Sequence, residues 1–584
     1  MARPNILLFL TDDQGWDDLS LHGNRYLATP HLDCLARESV QFSNFVVAPV
    51  CAATRAALLT GRHFLRTGVA HVHGGKDFVH RDERMLSEIF RAAGYATAMW
   101  GKWHCGKTTG YLPWERGFDE AYMARLYKHR DSEGYLNGNF EQHTGWTTET
   151  LADYAVDFLE RQVNSTGPFF AFVPFLTPHA PLVGDEELTQ KYEAMGLSHA
   201  LATLYAMVEQ TDTAVGRVLD ALDTTGLSDN TLVLFMSDNG PACNEGAFTN
   251  VDQVTRNFSG FKGWKGNMWE YGIKSPLFVR WPGRCEPATV TRLCDVCDIM
   301  PTLAELCTIG LDDLPYPLDG RSIVPYLEGD EDALPPKESF LWVSPGWPPD
   351  PERGYSIDGV FDEYGPVAPE DKPALIASRQ LSGYRGEEWK YMQHPGRVPR
   401  QPEPVEDQVL IHIAEDPRED VNVLSERRDV AAELCAKTRA WFEEIKGEPH
   451  AFHMPEFVIG DRDPHTFVAA YAPVRIRGEL HNTGNGLKNF RTTADAADYS
   501  VVVKRAGEYR VSIDYTRGND RAIALRLTCG DHRLVAPLGS GGFEELGTMY
   551  LPEGRRMLRL EVAEAEPSDT PIIERVVMLR FEPV

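Results

Sequence analysis

The chain has 584 residues, 42% hydrophobic and 25% charged, a globular balance in a length that implies two or more cores. Its formal net charge of -28 at pH 7 argues against nucleic acid as a partner. It would also repel an anionic substrate at long range, so a site for one needs a cation and a local cluster of basic side chains. The ten cysteines are scattered, unlike those of a small disulfide scaffold, and Cys294-x-x-Cys297 lacks the second pair that a zinc site requires.

Met1-Ala2-Arg3-Pro4 leads straight into an apolar run too short for a signal-peptide core or a membrane span. The expectation is a cytoplasmic chain as written, or a periplasmic or secreted one if a leader was removed. That run, Ile6 to Leu10, reads as a buried strand of a mostly parallel sheet and ends in Thr11-Asp12-Asp13. Ligands bind beyond such strand ends. Two adjacent carboxylates there either share a cation or mark a turn. Thr29 and Pro30 then supply an N-cap and first helical position, and Val40-Gln41-Phe42 is strand-like. Cys51-Ala52-Ala53-Thr54-Arg55-Ala56-Ala57-Leu58-Leu59-Thr60-Gly61-Arg62 reads as a helix with Cys51 and Arg55 on one face of its first turn. A thiol at a helix N-terminus beside a guanidinium favours anions; a small core cysteine is the plain alternative.

Leu86 to Ala93 is amphipathic, and the next buried strand, Tyr95 to Trp100, runs into Gly101-Lys102-Trp103-His104. Period-two alternation would point Lys102 and His104 the same way. Pro168 to Leu176 is another strand, delivering His179 between two prolines. Leu201 to Leu222 has helical period. Asn230 to Met236 repeats the opening pattern and ends in Ser237-Asp238-Asn239-Gly240; Lys262 to Gly272 and a strand at Leu277 to Val279 follow. This alternation predicts a doubly wound α/β domain over residues 1–320.

Over 321–448 the texture becomes that of a small α+β subdomain. Long surface loops are expected across 329–372, with Phe340, Trp342, Trp347, Tyr355, Phe361 and Tyr364 spread through them. Strand-like pieces recur near Ala374 to Ala377, Trp389 to Gln393 and Val409 to Ile413, before a helix from Asp429 to Ile445. Over 449–584, short alternating runs predict an all-β sandwich, an accessory module with a carbohydrate-binding, packing or solubilising role.

Several of these segments, in this order, resemble the type I sulfatase family of the alkaline phosphatase superfamily. They are Thr11-Asp12-Asp13-Gln14-Gly15, the Cys51 signature, Gly101-Lys102-Trp103-His104, Pro178-His179, Ser237-Asp238-Asn239-Gly240, Gly263-Trp264-Lys265-Gly266 with Glu270, and the late turn Ala414 to Asp420. Ala53 stands where the family more often has Pro. The resemblance implies that a maturation enzyme oxidises Cys51 to formylglycine. It also implies that Asp12, Asp13, Asp238 and Asn239 hold a divalent cation together with residue 51. Calcium suits these oxygen donors, with magnesium the alternative. Arg55 would offset charge at residue 51, Lys102 and Lys265 would grip sulfate oxygens, and His179 and His104 would serve as acid and base, roles that could be exchanged.

The implied activity is hydrolysis of a sulfate ester on a sulfated carbohydrate. A phosphodiesterase or phosphonate monoester hydrolase of the same superfamily is the first alternative. A non-catalytic protein that binds sulfated glycans is the second. His71, His73, His129 and His143 lie in loops that could line the substrate pocket.

Overall fold

The structure is a computed structural model that describes residues 3–243, 247–343, 366–395, 406–461 and 465–584. Its largest element is a ten-stranded sheet in the order Ala288–Val290, Val40–Phe42, Leu277–Arg280, Thr231–Ser237, Asn5–Thr11, Phe169–Pro174, Ala96–Gly101, Glu120–Ala124, Glu133–Leu136, Asn139–Gln142. The run from Thr231–Ser237 to Glu120–Ala124 is parallel. Antiparallel pairing begins on either side of it, at Leu277–Arg280 and at Glu133–Leu136.

The continuous apolar sequence of the central strands follows from cover on both faces. Ile6, Leu8 and Leu10 pack toward the Cys51–Thr60 helix, while Leu7 and Phe9 face the side that carries Pro30–Arg37, Thr147–Gln162 and His199–Thr224. All residues of the Cys51–Thr60 helix are buried, and its alanines let it lie close to its neighbours. Gly61 ends it in the left-handed conformation (φ 65°). Thr29 does precede the Pro30–Arg37 helix, but its hydroxyl donates to Asp33 Oδ1 (3.0 Å) in place of a cap bond.

A second, antiparallel sheet takes Ser339–Val343, Leu381–Arg385, Lys390–Gln393 and Gln408–Ile411 in order and packs on the Arg428–Gly447 helix. Phe340 and Trp342 therefore lie in a strand, where a loop was expected. Leu381–Arg385 is also a strand, and its Ser382 and Gly383 mask the period in the sequence. The Ala374 to Ala377 region forms no strand; it lies between two short 3-10 turns, Lys372–Ala374, which contains Pro373, and Ala377–Arg379. The expectations for Trp347, Tyr355, Phe361 and Tyr364 lie outside the described residues.

Past residue 456 two further sheets pack face to face as an all-β sandwich. Their shared core takes in Phe78 and Tyr111 of the α/β region, and the Tyr111 hydroxyl donates to the Glu456 carbonyl (2.9 Å). No helix among the described residues is long and apolar enough to cross a membrane. None of the ten cysteines forms a disulfide, and Cys294 and Cys297 are both buried.

Candidate active site

Four neighbouring parallel strands end at one place. Asp238 and Asn239 follow Thr231–Ser237, Asp12 and Asp13 follow Asn5–Thr11, His179 follows Phe169–Pro174, and Lys102 follows Ala96–Gly101. Main-chain bonds carry the register past the strands: Asp238 N donates to Thr11 O (3.0 Å), Asp12 N to Thr177 O (3.0 Å) and Lys102 N to Pro174 O (2.8 Å). The last contact requires glycine at 101, since a Cβ there would stand 1.9 Å from the Pro174 oxygen.

The Cys51–Thr60 helix aims its first turn at these ends. Arg55 donates through Nε and Nη2 to Asp238 Oδ2 (3.0 and 2.8 Å) and through Nη1 to the Lys102 carbonyl (2.7 Å). Lys102 Nζ donates to Asp12 Oδ2 (2.7 Å), and Lys265 Nζ to Asp13 Oδ1 (2.6 Å). The Cys51 sulfur lies 3.3 Å from His104 Nδ1. His179 Nε2 is 3.7 Å from Asp13 Oδ2, while its Nδ1 donates to the Ala180 carbonyl (2.6 Å).

Lys102 and His104 do not converge through strand alternation. The strand ends at Gly101, and His104 adopts φ 59°, a left-handed backbone that turns its ring toward Cys51. His104 Nε2 faces the Val72 carbonyl at 2.8 Å. A carbonyl only accepts, so Nε2 carries the hydrogen and Nδ1 presents a lone pair to residue 51. Burial and the Lys102 charge push His104 down to about 3, which keeps the imidazole neutral at ordinary pH. Burial would raise Asp12, but Lys102, His179, Lys265 and Arg55 outweigh it and hold that carboxyl well below the usual range. Burial and the Asp12 charge push Asp238 upward despite Arg55.

The donor set fits a hard divalent cation. Asp12 Oδ1 and Asn239 Oδ1 are buried oxygens without a hydrogen-bond partner, an unfavourable state that a cation would relieve. Asn239 turns its oxygen inward because its amide nitrogen donates to Asp13 Oδ1 and Gly240 O (both 2.8 Å). One ligand atom from each of Asp12, Cys51 and Asp238 lies within 4.8 Å of the others, as do those of Asp12, Asp13 and His179. Carboxylate and amide oxygens are ligands for calcium or magnesium.

A family model described as Sulfatase matches residues 4–309 of the 584. The chain belongs to the sulfatase family. Among curated relatives, it is 33% identical over 340 residues to an "Ulvan-active sulfatase" of Formosa agariphila, covering 53% of this chain and 63% of that protein. It is 29% identical over 359 residues to the "N-acetylgalactosamine-6-sulfatase" of Sus scrofa, covering 54% and 66%. The match thus spans less than two thirds of the length of these two relatives. Among solved structures, the crystal structure of Ps i-CgsB is 25% identical with a TM-score of 0.63, covering 77% of this chain and 95% of that one. PsFucS1 sulfatase from Pseudoalteromonas sp. is 21% identical with a TM-score of 0.59, covering 77% and 91%. The sheet and its flanking helices are the alkaline-phosphatase-like fold of sulfatases.

Several residues around the centre carried no signal in the sequence. Tyr127, in the left-handed region (φ 65°), holds its ring 4.9 Å from that of His179, the two planes tilted by 38°. Asp77 stands 3.8 Å from His104 Nε2, and Arg256 pairs with Asp18 (2.5 Å) while donating to the Asp13 carbonyl (3.2 Å). Of the loop histidines, His73 lies 6.3 Å from the His104 ring and His129 is buried near His179. His71 stands behind His73 (6.5 Å). His143 does not line the pocket; it is held by Tyr122 and the Tyr154 hydroxyl.

Proposed function

We propose that this member of the sulfatase family hydrolyses a sulfate ester on a sulfated carbohydrate, using residue 51 after its conversion by a formylglycine-generating maturation enzyme. The observation that carries this reading is the convergence of Cys51, two lysines, two histidines and an oxygen-rich cation cradle at one set of strand ends. The named activities of the Formosa agariphila and Sus scrofa relatives, on ulvan and on N-acetylgalactosamine 6-sulfate, support a carbohydrate substrate.

Asp12, Asp13, Asp238, Asn239 and residue 51 would hold calcium, with magnesium the alternative; the cation would withdraw charge from oxygens bound beside it. Converted residue 51 would supply the nucleophile. Lys102 and Lys265 lie over Asp12 and Asp13, where they can bind sulfuryl oxygens as charge develops. His104, neutral and with Nδ1 facing residue 51, is the base that takes a proton there. His179 Nε2 stands 3.7 Å from Asp13 Oδ2; burial and the Lys265 charge push its pKa down, Asp13 and Asp12 oppose that shift, and in its protonated form it is the acid for the departing sugar oxygen. Arg55 fixes Asp238 and leaves its charge beneath residue 51.

Side-by-side rates on an aryl sulfate, an aryl phosphodiester and sulfated oligosaccharides test the reading. Sulfate release should dominate, and chelation should abolish it until calcium is restored. A phosphonate monoester hydrolase of Agrobacterium radiobacter shares the fold at 20% identity and a TM-score of 0.50, so dominant phosphodiester turnover would favour that chemistry. Binding of sulfated glycans without turnover by a chain converted at residue 51 would make it a binding protein.

A further inference from the structure

The C-terminal sandwich packs against the loop that holds His104. Gly74 N donates to Gly484 O (3.4 Å), Asn482 Nδ2 donates to Gly74 O (3.2 Å), and a Cβ on Gly75 would meet Ala472 Cβ at 2.4 Å. This is the loop whose Val72 carbonyl orients the His104 ring. The sandwich is thus built into the site's wall.

A cavity of about 840 Å³ starts at His104 and His73 and runs past Lys107 and Tyr135 to Asn485 and Met578. A second, of about 600 Å³, shares Lys107, Tyr135, Asn485 and Met578 with the first and continues to Tyr471. Together they form a continuous cleft from His104, the neighbour of residue 51, to the sandwich, each part of ligand-site size. The Lys107 ammonium stands 4.6 Å over the Tyr471 ring. Tyr135 is 45% exposed and Phe140 59%, their rings 5.7 Å apart on the Glu133–Leu136/Asn139–Gln142 hairpin. Aromatic faces opposite an amide and an ammonium suit a sugar ring that carries anionic groups. The first cavity is lined by two cations, Lys107 and Arg125, and two carboxylates, Asp77 and Glu133; Arg125 is paired with Glu133 (2.7 Å), while Lys107 lies over an aromatic ring.

We infer that the C-terminal sandwich completes a distal subsite, with Lys107, Tyr135, Asn485 and Met578 receiving the sugars next to the one whose sulfate is cleaved, so that the ligand is a sulfated oligosaccharide. This rests on the sulfatase reading above for what occupies the near end. The sandwich is then a specificity element, and its Gly484-Asn485 turn sets the length of chain that fits.

The test is calorimetric binding of sulfated tetrasaccharides from ulvan and from chondroitin 6-sulfate, against the matching sulfated monosaccharides, to the full chain. Wild type should bind one of the tetrasaccharides at least tenfold tighter than its monosaccharide. Asn485 is on the exposed turn, so its variants test the cleft without touching a core. Asn485→Asp should weaken tetrasaccharide binding about tenfold and Asn485→Lys should strengthen it, so the preference for tetrasaccharide over monosaccharide should fall in the first variant and rise in the second. Lys107→Ala should also lower that ratio. Equal binding of both ligand lengths, or the same Kd for both Asn485 variants, would overturn the subsite. Tight tetrasaccharide binding without sulfate release by protein converted at residue 51 would leave the subsite standing and overturn the sulfatase reading instead.

Discussion

His104 Nδ1 lies 3.3 Å from the Cys51 sulfur while its Nε2 donates to the Val72 carbonyl at 2.8 Å. The second bond fixes which nitrogen is free, and burial beside Lys102 keeps it unprotonated. This gives His104 the geometry of a base acting on residue 51. His104→Ala should lower kcat by 10²- to 10⁴-fold, the usual worth of a positioned acid or base. His179→Ala should instead hurt most with poor leaving groups. Comparing activated aryl sulfates with sugar sulfates in both variants checks the assignment; the same leaving-group dependence in both would reverse or merge the two roles.

Lys265 reaches Asp13 from a loop far along the chain (2.6 Å). Lys265→Ala should lower kcat/KM by about 10²- to 10³-fold, as for loss of one charge-stabilising donor. Unchanged efficiency in steady-state kinetics would remove Lys265 from the site.

That loop is itself anchored by a buried charge network. Lys390 Nζ bridges Glu270 Oε1 (2.9 Å) and Glu419 Oε1 (2.7 Å), Arg385 Nε donates to Glu270 (2.9 Å), and Glu419 Oε2 accepts from the Glu270 amide (2.8 Å). Lys390→Met strands buried carboxylates and should cost about 3–5 kcal/mol. The thermal midpoint should fall with it, and the KM for sulfate esters should rise because Lys262 to Glu270 carries Lys265. A variant of wild-type stability would contradict the network's role.

The central sheet was legible because strands covered on both faces must be continuously apolar, and Ile6 to Leu10 and Thr231 to Phe235 are. The site was legible because polar residues abruptly follow those runs. Glu270 and the late acidic turn stood out as motifs, but nothing in their spacing revealed that Lys390, on the four-stranded sheet, bridges them. His104 was found for the wrong reason: alternation stops at Gly101, and a left-handed residue does the aiming. Tyr127, Asp77 and the Gly484-Asn485 turn were invisible, since each matters through a contact with a distant segment and sits in no periodic pattern.

His63 is buried against Phe64 and Trp441, and burial together with Arg66 pushes it down to about 3. Its folded value is depressed from 6.5, so its contribution to stability is whole above pH 6.5. It is lost as pH falls from there toward 3, at about 1.4 kcal/mol per pH unit. The drop in unfolding midpoint between pH 7.5 and 5.5 should therefore be smaller in His63→Gln than in wild type. An equal drop would show that His63 does not titrate as its surroundings dictate.

The most direct test couples the state of residue 51 to sulfate release. Peptide mass analysis should find the Cys51 thiol replaced by an aldehyde that hydrazides capture. Inorganic sulfate release from sulfated sugars should scale with the converted fraction, vanish in Cys51→Ala and persist in Cys243→Ala. Sulfate released at an undiminished rate by Cys51→Ala, or none released by fully converted protein, would contradict the account.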